Sequence, residues 1–276
     1  MEEEKIKRVV RAGYAKVAKG ERLNFIPVSQ CCGGNVDLAH DISRAIGYKE
    51  EELASAPAGA NLGLGCGNPT ALALLKEGET MLDLGSGAGF DCFLAANAVG
   101  AAGHVIGVDM TPEMIEKARA NAREGGYSNV DFRLGELEHL PVADSAADVV
   151  ISNCVINLTP DKAAVFREAF RVLRPSGRFA VSDIVLLREL PPAIRDSAEA
   201  YVGCLSGAIM KDAYLEAIRA AGFENVRIVE ESSFPIDCMA NDPTAQAIGN
   251  TINLTPDELS DLADSVVSIK VAGKKP

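Results

Sequence analysis

One stretch restricts the fold more than any other. The apolar run Thr80–Leu84 enters Gly85-Ser86-Gly87-Ala88-Gly89, and a helix-compatible run follows from Asp91 to Val99. This reads as strand, glycine-rich turn, helix. Glycines let the backbone turn sharply and approach a ligand closely. The N-terminus of the following helix offers unpaired N–H groups to an anionic group. A GxGxG string by itself is often only a tight turn, so its context decides. The next apolar run, His104-Val-Ile-Gly-Val-Asp109-Met110, ends in an acid. That acid is placed to accept hydrogen bonds from two ribose hydroxyls in a doubly wound nucleotide site.

The alternation continues downstream. Thr111-Pro112-Glu113 opens a helix, with Thr111 at the N-cap and Pro112 at the first helical position, and Gly125-Gly126 ends it. VDFRLG from Val130 and ADVVISNC from Ala147 read as the third and fourth strands, and Lys162–Leu173 as a helix closed by Arg174-Pro175-Ser176-Gly177. RFAVSDIVL from Arg178 is a fifth strand, and NVRIVEESSF and SVVSIKVAG are late candidates to complete the sheet. Strands alternating with helices of this length predict an α/β domain: a doubly wound, Rossmann-like, seven-stranded, mostly parallel sheet. An N-terminal helical segment precedes it. A late helical insertion, 191–222, is expected to break near Cys204 and Gly207. The expected divisions are 1–70, 71–186 and 187–276.

The chain of 276 residues carries a formal net charge of -12, which argues against a nucleic-acid backbone as its partner. The opening MEEEKIKRVV is not a signal peptide, and no apolar run reaches the ~18–20 residues a membrane span needs. The expectation is a cytosolic protein with neither a nucleic-acid nor a membrane partner. Seven cysteines, with no CxxC pair, do not suggest a disulfide scaffold.

Two features weigh against a dinucleotide in the glycine loop. GSGAG lacks the usual GxGxxG spacing, and Asp83 would face a pyrophosphate with like charge. A cationic amino group explains Asp83 better. The strings LDLGSGAG, GVDMTPEM, GELEHLP and RVLRPSGRF resemble successive motifs of class I S-adenosylmethionine-dependent methyltransferases over roughly residues 78–185. The resemblance implies that fold and that cofactor. Asp83 would face the amino group, and Gly85 and Gly87 would border the methionine part. Asp109 would bind the ribose and Met110 would flank the adenine. Glu136 would reach the adenine amine, with Gly135 and Leu137 supplying backbone, and Asn153 would line the cleft.

The acceptor side is marked by cysteines rather than by a base. His40, His104 and His139 lie in no obvious site context. Cys154 directly follows the fourth strand, Cys66 sits in a glycine-rich loop before the core, and Cys204 sits in the break between late helices. Three soft thiolates from three segments suit a thiophilic ion. The pieces GLGCGNP, ISNCVINLTPDK and YVGCLSGA resemble the cysteine-bearing segments of arsenite methyltransferases. That resemblance implies trivalent arsenic bound by Cys66, Cys154 and Cys204, with its lone pair attacking the cofactor methyl. Arsenite or thiol-conjugated arsenite would be the substrate. Cys31 and Cys32 would take part in arsenic capture and disulfide exchange, and thioredoxin or glutathione would regenerate the thiols. Cys92 and Cys238 read as structural. The competing readings are an O- or C-methyltransferase of a small organic molecule, a non-catalytic arsenic-binding protein, and a zinc enzyme. The zinc reading has no neighbouring His or acid in the sequence to support it.

Overall fold

The computed structural model describes residues 3–20, 38–233 and 265–276. Among these residues one sheet holds seven strands: β1 (Thr80–Leu84), β2 (His104–Asp109), β3 (Val130–Leu134), β4 (Ala147–Asn153), β5 (Leu173–Leu186), β6 (Glu224–Ser233) and β7 (Val266–Lys274). Their order is β3-β2-β1-β4-β5-β7-β6. Pairings from β3 to β5 are parallel, and β7 is antiparallel to both neighbours. The order reverses between β1 and β4, which opens a crevice beyond their C-terminal ends.

Helices cover both faces. α1 (Glu3–Ala18), α2 (Leu38–Ala45), α3 (Glu50–Ser55) and α4 (Pro69–Ala73) precede the sheet. α5 (Phe90–Val99), α6 (Pro112–Glu124) and α7 (Lys162–Val172) lie within it in sequence. α8 (Pro192–Arg195), α9 (Ala198–Val202) and α10 (Lys211–Ala220) form the late insertion. Side chains alternate across each strand. Leu82, Leu84, Val108 and Val150 pack on Phe166, Tyr214 and Ile218. Their neighbours Met81, Val105, Val149 and Ile151 pack on Phe93, Ile115 and Ala118. Strands covered on both faces are mostly apolar rather than alternating, which is why these runs lack a regular polar beat. Each such side chain contributes about 1.5–3 kcal/mol on burial. A third cluster joins Ile6 and Val10 of α1 to Ile184, Ile194, Tyr201 and Leu205, and it encloses Cys66 and Cys204.

The expected α/β architecture is borne out, with three local differences. Arg174–Gly177, read as a loop closing a helix, lies within β5; Leu173 pairs with Ala147 and Arg178 with Val149, so these residues bulge out of register. The insertion is three short helices rather than one helical run with a single break. Pro191 and Pro192 set the start of the first, and Cys204 with φ 66° interrupts the path to the third. Thr111 occupies the N-cap of α6 with extended backbone, but its hydroxyl makes no capping bond. Its backbone N–H instead donates to Asp109 Oδ1 at 2.8 Å.

Candidate active site

The loop between β1 and α5 needs glycine for two different reasons. Gly85 has φ 76°, and a Cβ there would collide with the Val155 side chain. Gly87 has φ 50°, and a Cβ there would meet nothing within 4 Å, because the loop opens onto a cavity. Gly85 and Ser86 donate from their backbone to Val108 O at 2.8 and 3.0 Å, pinning the loop to β2. Asp109, at the end of β2, accepts from Gly87 N at 3.0 Å.

The cavity encloses about 1000 Å³, including the space at its mouth. Asp83, Gly85, Gly87, Asp109, Met110, Leu137, Asn153 and Cys154 all line it. So the residues expected from the two edges of the reversal point do come together. Gly135 and Glu136 are not in the lining. Glu136 faces α1, where Lys7 Nζ approaches it at 2.6 Å and Arg11 at 3.3 Å. Leu137 and Glu138 border the cavity in its place. Lys7 and Arg11 thus tie the Glu136 carboxylate to α1.

Val10, Met110, Leu137 and Leu158 give the cavity apolar lining. Asp83, Asp91 and Asp109 give it acidic lining. Asp91, from the first turn of α5, accepts from Tyr48 Oη at 2.6 Å and from Asn153 Nδ2 at 3.1 Å. Asn153 Oδ1 in turn accepts from Cys66 N at 3.0 Å. Asp83 accepts the Cys92 thiol at 3.3 Å. Burial, and then the charge of Asp91, holds Asp83 well above the usual carboxylate range. Burial raises Asp91 to about 6, against the opposing hydrogen bonds of Tyr48 and Asn153. Two buried acids side by side are a donor set for a cation. Ser86 Oγ is buried in the same wall with no hydrogen-bond partner among the described residues. An amino acid–nucleoside conjugate fits this arrangement. Its ammonium would meet Asp83 and Asp91, its hydroxyls would meet Asp109, and its base would meet Met110 and Leu137.

The thiols pack beside Val10, Leu158 and Met110. Cys154 follows β4 with φ 56°, and its N–H donates to Ser182 O at 2.8 Å. Its sulfur is within hydrogen-bonding reach of both Cys66 and Cys204. Cys204 Sγ also donates to Cys154 O at 2.8 Å. Cys66, Cys154 and Cys204 form no disulfides. The Cys204 hydrogen bond favours the Cys154 thiolate, but the bond with Cys66 and burial outweigh it and hold the thiol well above its ordinary range. Burial likewise raises Cys66. The three expected acceptor cysteines therefore converge, with Cys154 between the other two and facing the cavity. Cys31, Cys32 and Cys238 lie outside the described residues. Cys92 is fully buried in the sheet-facing core, as expected of a structural residue.

Several contributors escaped the sequence reading. Tyr48 and Asp91 order Asn153. Asp183 of β5 has a carboxylate oxygen within 4.8 Å of both the Cys66 and Cys154 sulfurs, so an acid does neighbour these thiols. Asp183 sits inside a continuous apolar strand and carries no local signal. Asn157 is fully buried and donates to Asp183 Oδ1 at 2.8 Å and Ile184 O at 2.6 Å. None of the three histidines lines the cavity.

Comparison with known proteins places this geometry among relatives. A family model described as a methyltransferase domain matches residues 75–222. An arsenite methyltransferase of Halobacterium salinarum is 43% identical over 99% of this chain and 67% of its own length. The arsenite methyltransferase of Homo sapiens is 40% identical over 54% of this chain, and the match spans 42% of that protein. The crystal structure of CrArsM, an arsenic(III) S-adenosylmethionine methyltransferase from Chlamydomonas reinhardtii, superposes with a TM-score of 0.62 at 34% identity. That match covers 87% of this chain and 74% of that one.

Proposed function

The chain belongs to the arsenite methyltransferases, within the class I S-adenosylmethionine-dependent fold, and from that premise we propose that it methylates trivalent arsenic held by Cys66, Cys154 and Cys204. The observation that carries the reading is the convergence of three thiols from three separate segments, one of which, Cys154, borders the cavity.

When bound, the cofactor supplies a methyl group made electrophilic by its sulfonium. The protein's own groups have separate tasks. Asp83 and Asp91 take the ammonium, Gly85 and Gly87 let the backbone approach, and Asp109 accepts from the ribose. Met110 and Leu137 would flank the base, and Glu138, which borders the cavity, would supply an acid there. Asn153 links the two halves, because it holds Asp91 and the Cys66 backbone at once. Cys154, which borders the cavity, brings the acceptor to the methyl group's side. Positioning and exclusion of water carry the rate.

Arsenic enters by ligand exchange. Each protein thiol bonds to arsenic and passes its proton to the hydroxide or thiolate that leaves. Raised thiol pKa values keep the empty site protonated until that exchange. The arsenic lone pair is itself the nucleophile, so a site without a histidine base is sufficient. Transfer leaves arsenic formally pentavalent. Two thiolates return it to the trivalent state by giving up an electron pair as a disulfide. A dithiol such as thioredoxin, or glutathione, then restores the thiols, with Cys31 and Cys32 as relay. A reducing, cytoplasmic setting suits thiols that must cycle. Among the described residues, no helix is long and apolar enough to cross a membrane.

The test is transfer of labelled methyl from S-adenosylmethionine to arsenite with a thiol reductant. The intact chain is expected to form methylarsenicals, and Cys154→Ser to lose roughly 100-fold or more while still binding cofactor. A folded, cofactor-binding protein that yields no methylarsenical overturns the reading in favour of an organic acceptor.

A further inference from the structure

Methylation as proposed uses three thiols and leaves Asp183 without a part. Yet its carboxylate and the sulfurs of Cys66 and Cys154 lie within 4.8 Å of one another. Asp183 is fully buried. Its Oδ1 accepts from Asn157 Nδ2 at 2.8 Å and from Ile184 N at 2.9 Å, and its Oδ2 accepts from Tyr214 Oη at 3.0 Å. A carboxylate has about four acceptor positions. Three donors fill three of them and fix the group's orientation, leaving about one to meet an incoming cation. Hydrogen bonds that orient a carboxylate in this way are what metal ligands characteristically have behind them.

Trivalent arsenic is satisfied by three sulfurs. Zinc and its heavier congener cadmium take four ligands, mixing thiolate with carboxylate oxygen. A tetrahedral zinc with Zn–S of about 2.3 Å separates its ligand atoms by about 3.8 Å, so the cluster needs to contract by no more than about 1 Å. Two thiolates and a carboxylate around a dication leave one negative charge. The buried ammonium of Lys162, which is electrostatically coupled to Asp183 and Cys204, offsets it. A water entering from the cavity takes the fourth position, and Cys204, outside the cluster, stays a neutral thiol that donates to Cys154 O. Entry is through the cavity that Cys154 borders.

We propose that Cys66, Cys154 and Asp183 form a site for a thiophilic divalent cation, Zn²⁺ or Cd²⁺, whose occupancy excludes arsenite. The exclusion rests on the acceptor reading above; the cation site does not. Each metal–sulfur bond replaces an S–H bond, and the proton passes to buffer.

Cd²⁺ is titrated into the reduced full chain and followed by cadmium–thiolate absorption, with arsenite binding followed separately. Cd²⁺ is expected to displace arsenite. Asp183→Asn is expected to weaken Cd²⁺ at least about 10-fold and to leave arsenite binding within about twofold. Cys154→Ser is expected to weaken both. Cadmium affinity unchanged in Asp183→Asn, or cadmium and arsenite binding together, overturns the proposal. If Asp183→Asn fails to fold, the ¹¹³Cd resonance of the unsubstituted protein decides: a shift for mixed sulfur and oxygen ligation supports it, and an all-sulfur shift overturns it. Asp183-dependent cadmium binding in a chain that cannot methylate arsenite would keep the cation site and sink the proposed function instead.

Discussion

Cys154 and Cys204 both hold left-handed backbone, with φ of 56° and 66°. A residue with a Cβ loses roughly 1–2 kcal/mol there, and only glycine escapes the penalty. Strain of this kind persists where the surrounding structure overrules local preference, and such places cluster at functional sites. Here it turns one thiol into the cavity and backs it with another. The strain gives a prediction that separates stability from function. Cys204→Gly is expected to be about 1 kcal/mol more stable than Cys204→Ala in urea denaturation, the reverse of their order in ordinary structure, and both should lose arsenite binding. Alanine equal to or more stable than glycine would mean the left-handed turn is not held in solution. The three cysteines were legible because each sits beside glycine or at a strand end. Asp183 was not, since a strand buried on both faces gives an acid no periodic signature. Glu136 was legible as an acid but not in its direction, because that depends on Lys7 and Arg11, more than 120 residues earlier.

At the scale of elements, the sheet was readable because its first strands are short runs that stop at glycine or an acid, as β1 does at Gly85, β2 at Asp109 and β3 at Gly135. α1 was readable as a helix, but its partner was not. It lies across the cavity, where Val10 and Tyr14 line the wall. Lys7 ties it to Glu136 at 2.6 Å and to Glu138 at 3.2 Å. Glu138 is buried and borders the cavity, so removing Lys7 leaves an uncompensated carboxylate at the wall. Lys7→Met is therefore expected to raise the KM for S-adenosylmethionine about 5-fold, equivalent to about 1 kcal/mol, with kcat within twofold. The effect should shrink in high salt to the extent that the pair is open to water. A fall in kcat with KM unchanged would assign α1 to the chemical step rather than to holding the cofactor.

Over the whole molecule, the fold gathers buried acids, two of them side by side at the cavity wall, and this links cofactor binding to pH. Asp91 titrates at about 6, and burial lifts Asp83 well above the usual carboxylate range. An unfolded aspartate titrates near ~3.9. Between those values the folded protein without cofactor binds more protons than the unfolded chain, so its stability falls as pH rises through roughly 4 to 6. Asp183, raised by burial to about 6, acts in the same direction. An ammonium brought against Asp83 and Asp91 reverses their part of this, because it favours the ionised acids and expels their protons. Cofactor affinity should therefore increase as pH rises through about 6, while Asp183, not in contact with the ammonium in this reading, keeps its slope. The measurement is the rise in Tm given by saturating S-adenosylmethionine, compared at pH 5 and pH 7, where its amino group stays largely protonated. A larger rise at pH 7 is expected, and Asp83→Asn should flatten the difference. Equal increments at the two pH values would mean that the buried acids stay protonated under the cofactor. The ammonium would then be held by hydrogen bonds alone, and the reason for placing an acid ahead of the glycine loop would have to be sought in the packing of Cys92 instead.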